Sequence, residues 1–258
     1  MSNFLLEAGR QTLMLELQEA SRLPERLGDD FIRAAETIIH CEGKLIVSGI
    51  GKSGHIGKKL AATFASTGTP AFFVHPAEAL HGDLGMLDGR DVMLFISYSG
   101  GAKELDLIVP RLEEKSIPLL AMTGKSKSPL ALAARAVLDI AVEREACPMH
   151  LAPTSSTVNT LMLGDALAMA VMQARGFNEE DFARSHPAGA LGARLLNKVH
   201  HLMRRDEDVP RVDVTASVMS AMLELSRTGL GLVAVCDAQN RVEGVFTDGD
   251  LRRWLVGG

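Results

Sequence analysis

The sequence is poor in cysteine and contains no cysteine-based motif. Its three cysteines, Cys41, Cys147 and Cys236, lie far apart, are odd in number and form no CxxC pair. Neither a disulfide framework nor a cysteine-based zinc site is therefore indicated, and a reducing cytoplasm is the expected location.

The chain also lacks long apolar runs and an excess of basic charge. No run approaches the ~20 apolar residues of a membrane span, and the start MSNFLLEAGRQ has no basic region followed by a long apolar core. With 27 basic and 32 acidic residues the net charge is −5. The chain therefore lacks the excess of basic charge that is typical of a nucleic-acid-binding protein. These absences predict a soluble, cytosolic protein without a membrane or nucleic-acid partner.

What the sequence does contain is a regular α/β pattern. Its 258 residues, 47% of them apolar, suffice for one sizeable core and a smaller unit, because domains commonly span ~100–200 residues. Five short apolar runs alternate with helical segments, which predicts right-handed crossovers in a doubly wound parallel five-stranded sheet. The predicted strands are residues 45–47, 71–74, 92–96, 118–122 and 137–142. The predicted helices are two within 4–39, then 58–66, 102–115, 127–135, a long one after Pro153 that ends at Gly176, and a shorter helix and loop over 178–196.

The glycine-rich stretch 44–57, KLIVSGIGKSGHIG, follows the first predicted strand. Its glycines match GxGxxG but not the P-loop spacing, and a lone match of this kind is weak. Two interpretations stay open. The turn is either a phosphate cradle, in which backbone N–H groups act with Ser48, Lys52 and Ser53, or a glycine turn that merely packs closely.

Binding sites in parallel α/β sheets lie outside the carboxyl ends of the strands. Here those ends read SGIGKSG, VHP, SYSGG, MTG and VEREA, so charged and hydroxyl side chains converge by topology. The loop after the second strand holds His75, Glu78, His81 and Asp83, which could host a divalent metal, although no spacing rule demands one. The hydroxyl-rich start of the long helix offers orphan amides to an anion.

The composition changes at residue 197. The stretch HHLMRRDEDVPRV is charged and contains a proline, as is typical of a domain linker. A helix at 215–228, strands at 231–236 and 241–246 and a helix at 247–254 then form a β–α–β–β–α-like unit, which is small enough to need a partner surface. The predicted domains are residues 1–197 and 211–258, with a linker at 198–210.

Several of these motifs, in the same order along the chain, resemble those of bacterial D-arabinose-5-phosphate isomerases. They include GKSGHIGKKLAATFASTGTPAFFVHPAEALHGDLGML, EACPMHLAPTSST and GFNEEDFARSHPAGALG, which resemble the sugar-isomerase (SIS) domain, and VFTDGDLRR, which resembles the end of a CBS module. The resemblance covers roughly residues 5–258. It implies a flavodoxin-like SIS sandwich followed by a partial CBS unit, with one CBS repeat where the family has two. A truncated chain or a missing repeat would explain this, and a single repeat is expected to pair with another chain. The family usually has SNSGE where this chain has SYSGG, with Tyr98 and Gly101.

The resemblance implies reversible conversion of D-ribulose 5-phosphate to D-arabinose 5-phosphate, the first step toward the Kdo sugar of lipopolysaccharide or capsule. The family's catalytic residues fall on Lys52, Glu104, Glu145 and His186. Isomerisation through an enediol requires a base near C1 and C2 and a donor to the carbonyl oxygen. Among these residues, we expect Glu145 or His186 to transfer the carbon-bound proton and Glu104 to transfer the ring-opening or hydroxyl proton. We expect Lys52 to lie near a substrate oxygen or the phosphate. Spacing alone favours ordinary surface charges and a loop histidine, and the placement of these residues in the family motifs reverses that preference.

The candidate substrate and phosphate ligands are mostly hydroxyl, glycine and histidine residues, and simple helix capping is the alternative for the hydroxyls. They are Ser48, Ser53, Gly68, Thr69, His75, His81, Ser97, Ser99, Gly100, Thr154, Ser155, Ser156 and Thr157. The resemblance further implies no required cofactor, zinc at His75 as an inhibitory ion, a nucleotide at the CBS unit and a homotetramer with active sites at subunit contacts. Two alternatives are a non-catalytic SIS sugar-phosphate sensor and an isomerase of another ketose phosphate.

Overall fold

A computed structural model describes residues 2–186, residue 194 and residues 198–257, and the chain divides into two compact units, residues 1–195 and 196–258. The strands of the first unit are β1 (Leu45–Gly49), β2 (Ala71–Val74), β3 (Val92–Ile96), β4 (Leu119–Thr123) and β5 (Ala136–Asp139). Its helices are α1 (Ser2–Ala20), α2 (Asp29–Ile39), α3 (Gly51–Ser66), α4 (Pro76–Leu80), α5 (Leu105–Glu114), α6 (Pro129–Ala133), α7 (Ser155–Ala174) and α8 (Glu179–Ser185), with 3₁₀ turns at Pro24–Arg26 and Asp83–Met86.

The five strands form one parallel sheet in the order β2-β1-β3-β4-β5. Side chains alternate across the sheet, as strand geometry requires. In β3, Val92, Leu94 and Ile96 pack with α2, α3 and α7, whereas Met93 and Phe95 pack with α5 and α6. Because helices cover both faces, β1, β3 and β4 are buried along their whole length. The predicted doubly wound α/β class is confirmed.

Several element boundaries differ from the sequence prediction. Helix α3 begins at Gly51 instead of residue 58, so the Lys52 to Gly57 stretch is helix and the turn after β1 is short. Helix α6 covers only Pro129–Ala133 because Ser128 caps it and Ala134 is already extended. Helix α5 is also shorter than 102–115, and β5 ends at Asp139. The end of the predicted 178–196 segment and the predicted domain boundary at residue 197 lie outside the described residues.

Helix α7 runs across the first unit from the carboxyl ends of the strands, here called the carboxyl edge of the sheet, to their amino ends, here called the amino edge. It starts next to the segment that follows β5, at the carboxyl edge. At its end the Arg175 guanidinium donates to the carbonyls of Gly68 (3.1 Å) and Ile38 (2.8 Å), which precede β2 and β1 at the amino edge. A helix of 20 residues is ~30 Å long. Its two ends therefore belong to different edges of the sheet.

The second unit is a small mixed sheet with helices. Strand β6 (Arg211–Asp213) pairs in parallel with β7 (Leu232–Cys236), which pairs antiparallel with β8 (Val242–Thr247). Its helices are α9 (Val199–Leu202), α10 (Val218–Thr228) and α11 (Asp248–Val256). The predicted β–α–β–β–α order is present. The predicted linker 198–210 contains α9 and a 3₁₀ turn at Asp206–Asp208.

None of the helices in the described parts of the chain combines the length and the apolar character needed to cross a membrane.

Candidate functional site

The turn after β1 combines close packing with an accessible helix start. Ser48 is buried, and its hydroxyl donates to the Val74 carbonyl (2.8 Å), which ties β1 to β2. A Cβ at Gly54 would lie 2.6 Å from the Gly49 carbonyl oxygen, so close packing explains these glycines. Lys52 is exposed and Ser53 half-buried in the first turn of α3. The groups available to an anion here are therefore Lys52, Ser53 and the free amides of the helix start.

The loop after β3 forms a tight turn closed by Gly100. The Gly100 N–H donates to the carbonyl (3.1 Å) and to the hydroxyl oxygen (3.2 Å) of Ser97. Gly100 has φ +63°, and a Cβ there would lie 2.0 Å from Ser128 Oγ. Ser99 is exposed at the tip. Glu104, half-buried, precedes α5, and among the described residues its carboxylate makes no capping bond.

Tyr98, in the same loop, reaches across the end of β4. Its hydroxyl accepts from the Val142 N–H (3.2 Å) and lies 3.4 Å from the Val142 carbonyl, to which it donates. Its own carbonyl accepts from the Gly124 N–H (3.0 Å). Sequence reasoning noted Tyr98 as a departure from the family but did not predict this bridge.

Glu145 caps the start of α7 with its side chain. Oε2 accepts from the Thr154 N–H (2.7 Å), the Thr154 hydroxyl (3.0 Å) and the Ser156 N–H (3.2 Å). Partial burial acts to raise the pKa of Glu145, but hydrogen bonds from Ser156 and Thr154 outweigh it and lower the pKa below its ordinary value. The helix start that the sequence offers to a phosphate thus holds the protein's own carboxylate. Ser155, also predicted as a ligand, is fully buried, and its Oγ has no partner among the described residues.

A cavity of about 680 Å³ lies between α1 and the loop that carries Glu145. Gln11 and Leu15 of α1 line one side, and Glu145, Cys147 and His150 line the other. Backbone N–H groups of Ala152 and Leu151 lower the pKa of the Cys147 thiol. The cavity gives Glu145 a solvent-connected space in which a small polar molecule fits.

The two histidines after β2 bracket the short helix α4. His75 Nδ1 accepts from the Ala77 N–H (3.2 Å), so the neutral ring carries its proton on Nε2. His81 is exposed at the end of α4. Zinc binding through Nε2 would require loss of the Ala77 hydrogen bond, and the described residues contain no group of three or more His, Cys, Asp or Glu side chains that could hold a metal ion. These residues do not fit a zinc site.

His186 follows α8, and its ring is fixed by Phe182. The two rings stack with centroids 4.0 Å apart, and Nδ1 lies 3.0 Å from the Phe182 carbonyl oxygen. A carbonyl only accepts, so Nδ1 carries the proton and Nε2 is the acceptor in the neutral ring.

His186 lies far from Glu145 within one chain. Helix α7 carries the chain ~30 Å to the amino edge, and the seven residues of α8 span only ~10 Å. Gly68 and Thr69 precede β2 at that same edge, where Gly68 packs against Phe177. The structure therefore places Lys52, Glu104 and Glu145 toward one edge of the sheet and does not bring Gly68, Thr69 and His186 to it.

The SIS domain family matches residues 38–170, and the CBS domain family matches residues 199–257. The arabinose 5-phosphate isomerase GutQ of Escherichia coli K12 is 87% identical over 258 residues, which cover all of this chain and 80% of the relative. The chain belongs to the arabinose 5-phosphate isomerase family. The family member KdsD of Shigella flexneri is 50% identical over 247 residues, 96% of this chain and 75% of the relative. A solved structure of E. coli CFT073 c3406 in complex with arabinose 5-phosphate is 37% identical with a TM-score of 0.70, and the match covers 72% of this chain and all of that one. In this member of the arabinose 5-phosphate isomerase family, Lys52, Glu104 and Glu145 lie inside the SIS match and His186 lies beyond it.

Proposed function

We propose that the protein interconverts D-ribulose 5-phosphate and D-arabinose 5-phosphate through an enediol, as the first step of Kdo biosynthesis. The observation that carries this proposal is the ionised Glu145 carboxylate, held by Thr154 and Ser156 beside a cavity. The names of the relatives and the sugar phosphate bound in the solved structure agree with it. The reaction moves one proton between two carbons, so it needs no redox cofactor.

The phosphate is the part of the substrate that the loops bind. Ser53 and the Ser97 to Gly100 turn supply hydroxyls and backbone amides to it. Binding energy from this remote group positions C1 and C2 for proton transfer.

The proton transfers are assigned by the state of each side chain. His186 Nε2 is an acceptor, so His186 takes the proton from one carbon and returns it to the other. Glu145, whose pKa is lowered, is a weaker base than an ordinary glutamate. Its Oε2 is occupied by three donors, which leaves Oε1 to accept from a substrate hydroxyl. Glu104 shuttles the hydroxyl proton, and Lys52 stabilises the negative charge that develops on the carbonyl oxygen.

This assignment requires two chains, because His186 and Glu145 lie toward opposite edges of one chain. We extend the proposal to a homotetramer with sites at subunit contacts. Helix α1 supports it with an exposed apolar surface that includes Phe4, Leu13 and Leu17, each at least 60% exposed. Beside it lies an apolar cavity of about 350 Å³ lined by Leu23 and Met162 among others. Such a surface is typical of a subunit contact.

The first experiment tests the reaction. The protein is incubated with ribulose 5-phosphate in heavy water, and the expected result is arabinose 5-phosphate with deuterium at C2. The absence of both product and label would contradict the proposal.

The second experiment tests the shared site. Glu145→Gln and His186→Ala, each inactive alone, are co-expressed so that chains mix. Sites that join Glu145 of one chain to His186 of another should restore about a quarter of the wild-type activity, since each intact residue is drawn with a chance of about one half. A mixture without activity would show that both residues act from the same chain. The control mixture of Glu143→Gln with His186→Ala keeps every Glu145 and should be about half active.

Two further properties are proposals, and a third expectation is not carried forward. A nucleotide at residues 211–258 is supported by the CBS match. A cytoplasmic location is supported by three free, separate cysteines. Inhibitory zinc at His75 is opposed by the Ala77 hydrogen bond described above.

A further inference from the structure

Tyr98 links the phosphate loop to the segment that carries Glu145. It is the only tyrosine of the chain. Its hydroxyl bonds both backbone groups of Val142, and its ring lies on Gly124, where a Cβ would be 2.6 Å from the ring. The side chain therefore spans the end of β4 and connects the exit of β3 to residues 141–145, here called the Glu145 segment.

The Glu145 segment is held by side chains from other elements and not by a strand. The Ala141 carbonyl accepts from Arg26 (2.5 Å) and Asn159 (3.3 Å). The Glu143 N–H donates to the buried carboxylate of Glu19 (3.0 Å). Tyr98 holds the residue between these two points, and it is the contact that comes from the loop proposed to bind phosphate.

We infer that Tyr98 is a positioning residue for catalysis, which fixes the distance between the Ser97 to Gly100 loop and the Glu145 carboxylate. The inference rests on the proposed function, since it assumes that the phosphate binds in this loop and the reacting carbons lie near Glu145. Phosphate binding aligns the carbons only when the two points are rigidly connected. A misplacement of ~1 Å at a reacting group costs ~100-fold in rate. Tyr98 supplies that connection without touching the substrate.

The test is Tyr98→Phe, which keeps the ring on Gly124 and removes only the hydroxyl. The expected result is a fall in kcat of about 5- to 50-fold, with KM for ribulose 5-phosphate within about 2-fold of the wild type. Hydrogen exchange at the Val142 amide should accelerate in the same variant. This measurement reports the loss of the hydrogen bond between the Val142 N–H and the Tyr98 hydroxyl independently of activity. Thr37→Val is the matched control, because the half-buried Thr37 hydroxyl also donates to a backbone carbonyl (2.6 Å) but lies in α2. It should leave kcat and KM unchanged.

A double-mutant cycle separates positioning from general loosening of the fold. Glu145→Asp already withdraws the carboxylate. The further fall in kcat caused by Tyr98→Phe should therefore be much smaller in the Glu145→Asp protein than in the wild type. Additive losses, an unchanged kcat in an active Tyr98→Phe enzyme, or a loss expressed only in KM would each overturn the inference. A wild type that does not turn over ribulose 5-phosphate would overturn the proposed function as well, so the two failures are distinguishable.

Discussion

The Glu145 carboxylate and the Thr154 N–H are 2.7 Å apart, so a catalytic candidate is also the cap of the 20-residue helix α7. A negative charge at a helix start is favourable because it satisfies orphan amides and complements the helix dipole. Because the same carboxylate stabilises the start of α7, its removal should affect both catalysis and the stability of the protein.

Glu145→Gln should reduce kcat by at least about 100-fold, since it removes the charge that we propose to orient the substrate hydroxyl. It should also lower the free energy of unfolding by about 0.3–1 kcal/mol, because the amide keeps an acceptor at the helix start but not the negative charge. Steady-state kinetics and thermal unfolding measure the two effects. Glu143→Gln is the control: this exposed carboxylate pairs with Arg22, and kcat should stay within about 2-fold. A near-normal rate in Glu145→Gln would remove Glu145 from the mechanism.

The stability of the SIS unit should depend on Glu145 in acid. The folded pKa of Glu145 is lowered from its ordinary value of 4.5, so the folded state favours the charged form. Its contribution is complete above that ordinary value and is lost as the pH falls through the lowered pKa. Denaturant unfolding measured from pH 6 downward should therefore show a shallower acid decline in Glu145→Gln than in the wild type. Parallel declines in the two proteins would contradict this.

Two neighbouring glycines make a matched pair in the loop after β3. Gly100→Ala should destabilise the protein by about 1–3 kcal/mol, because φ is +63° and the new Cβ would collide with Ser128. KM for the sugar phosphate should rise with it, since we propose that this turn presents hydroxyls to the phosphate. Gly101→Ala meets nothing within 4 Å and should change stability by less than about 1 kcal/mol. Equal stabilities for the two variants would show that the turn does not require Gly100.

Gly124→Ala should reproduce the Tyr98→Phe defect without altering Tyr98 itself. A Cβ at this position would lie 2.6 Å from the Tyr98 ring and should push the hydroxyl away from Val142. The expected kinetics are a lower kcat with KM nearly unchanged. Gly85→Ala, where a Cβ meets nothing within 4 Å, is the control and should leave kcat as it is. A normal kcat in Gly124→Ala would mean that the ring can shift without moving the Glu145 segment.

The sequence was sufficient to predict the sheet and the residue types at the carboxyl ends of its strands. The apolar run of β3 is continuous, as is typical of a parallel strand covered by helices on both faces, and its side chains alternate between two helical layers. Helix α3 was predicted too short because glycines weaken a helix signal, whereas here they allow close packing on β1 and β2. The early end of β5 was missed because the residues after it bond to distant side chains, including those of Glu19 and Arg26.

The site was less predictable than the fold because its geometry depends on contacts remote in sequence. The hydroxyls at the start of α7 predicted a site for the anion of a substrate, but no pattern in the sequence shows that the Glu145 carboxylate accepts the hydrogen bonds of this helix start. Likewise, the SHP motif marked His186 without revealing that α7 places it toward the opposite edge. Tyr98 gave a usable signal, since it departs from the usual family motif at the position where a long side chain is needed to reach Val142.

In the proposed homotetramer, the length of α7 would have a consequence beyond a single site. Glu145 caps its first turn, and the chain reaches His186 only beyond its last. In an assembly with shared sites, one α7 helix would therefore contribute to two active sites, one at each of its ends. Ligand binding that shifts α7 along its axis at one centre would move the other by the same amount, so neighbouring centres would sense each other's occupancy through a single helix.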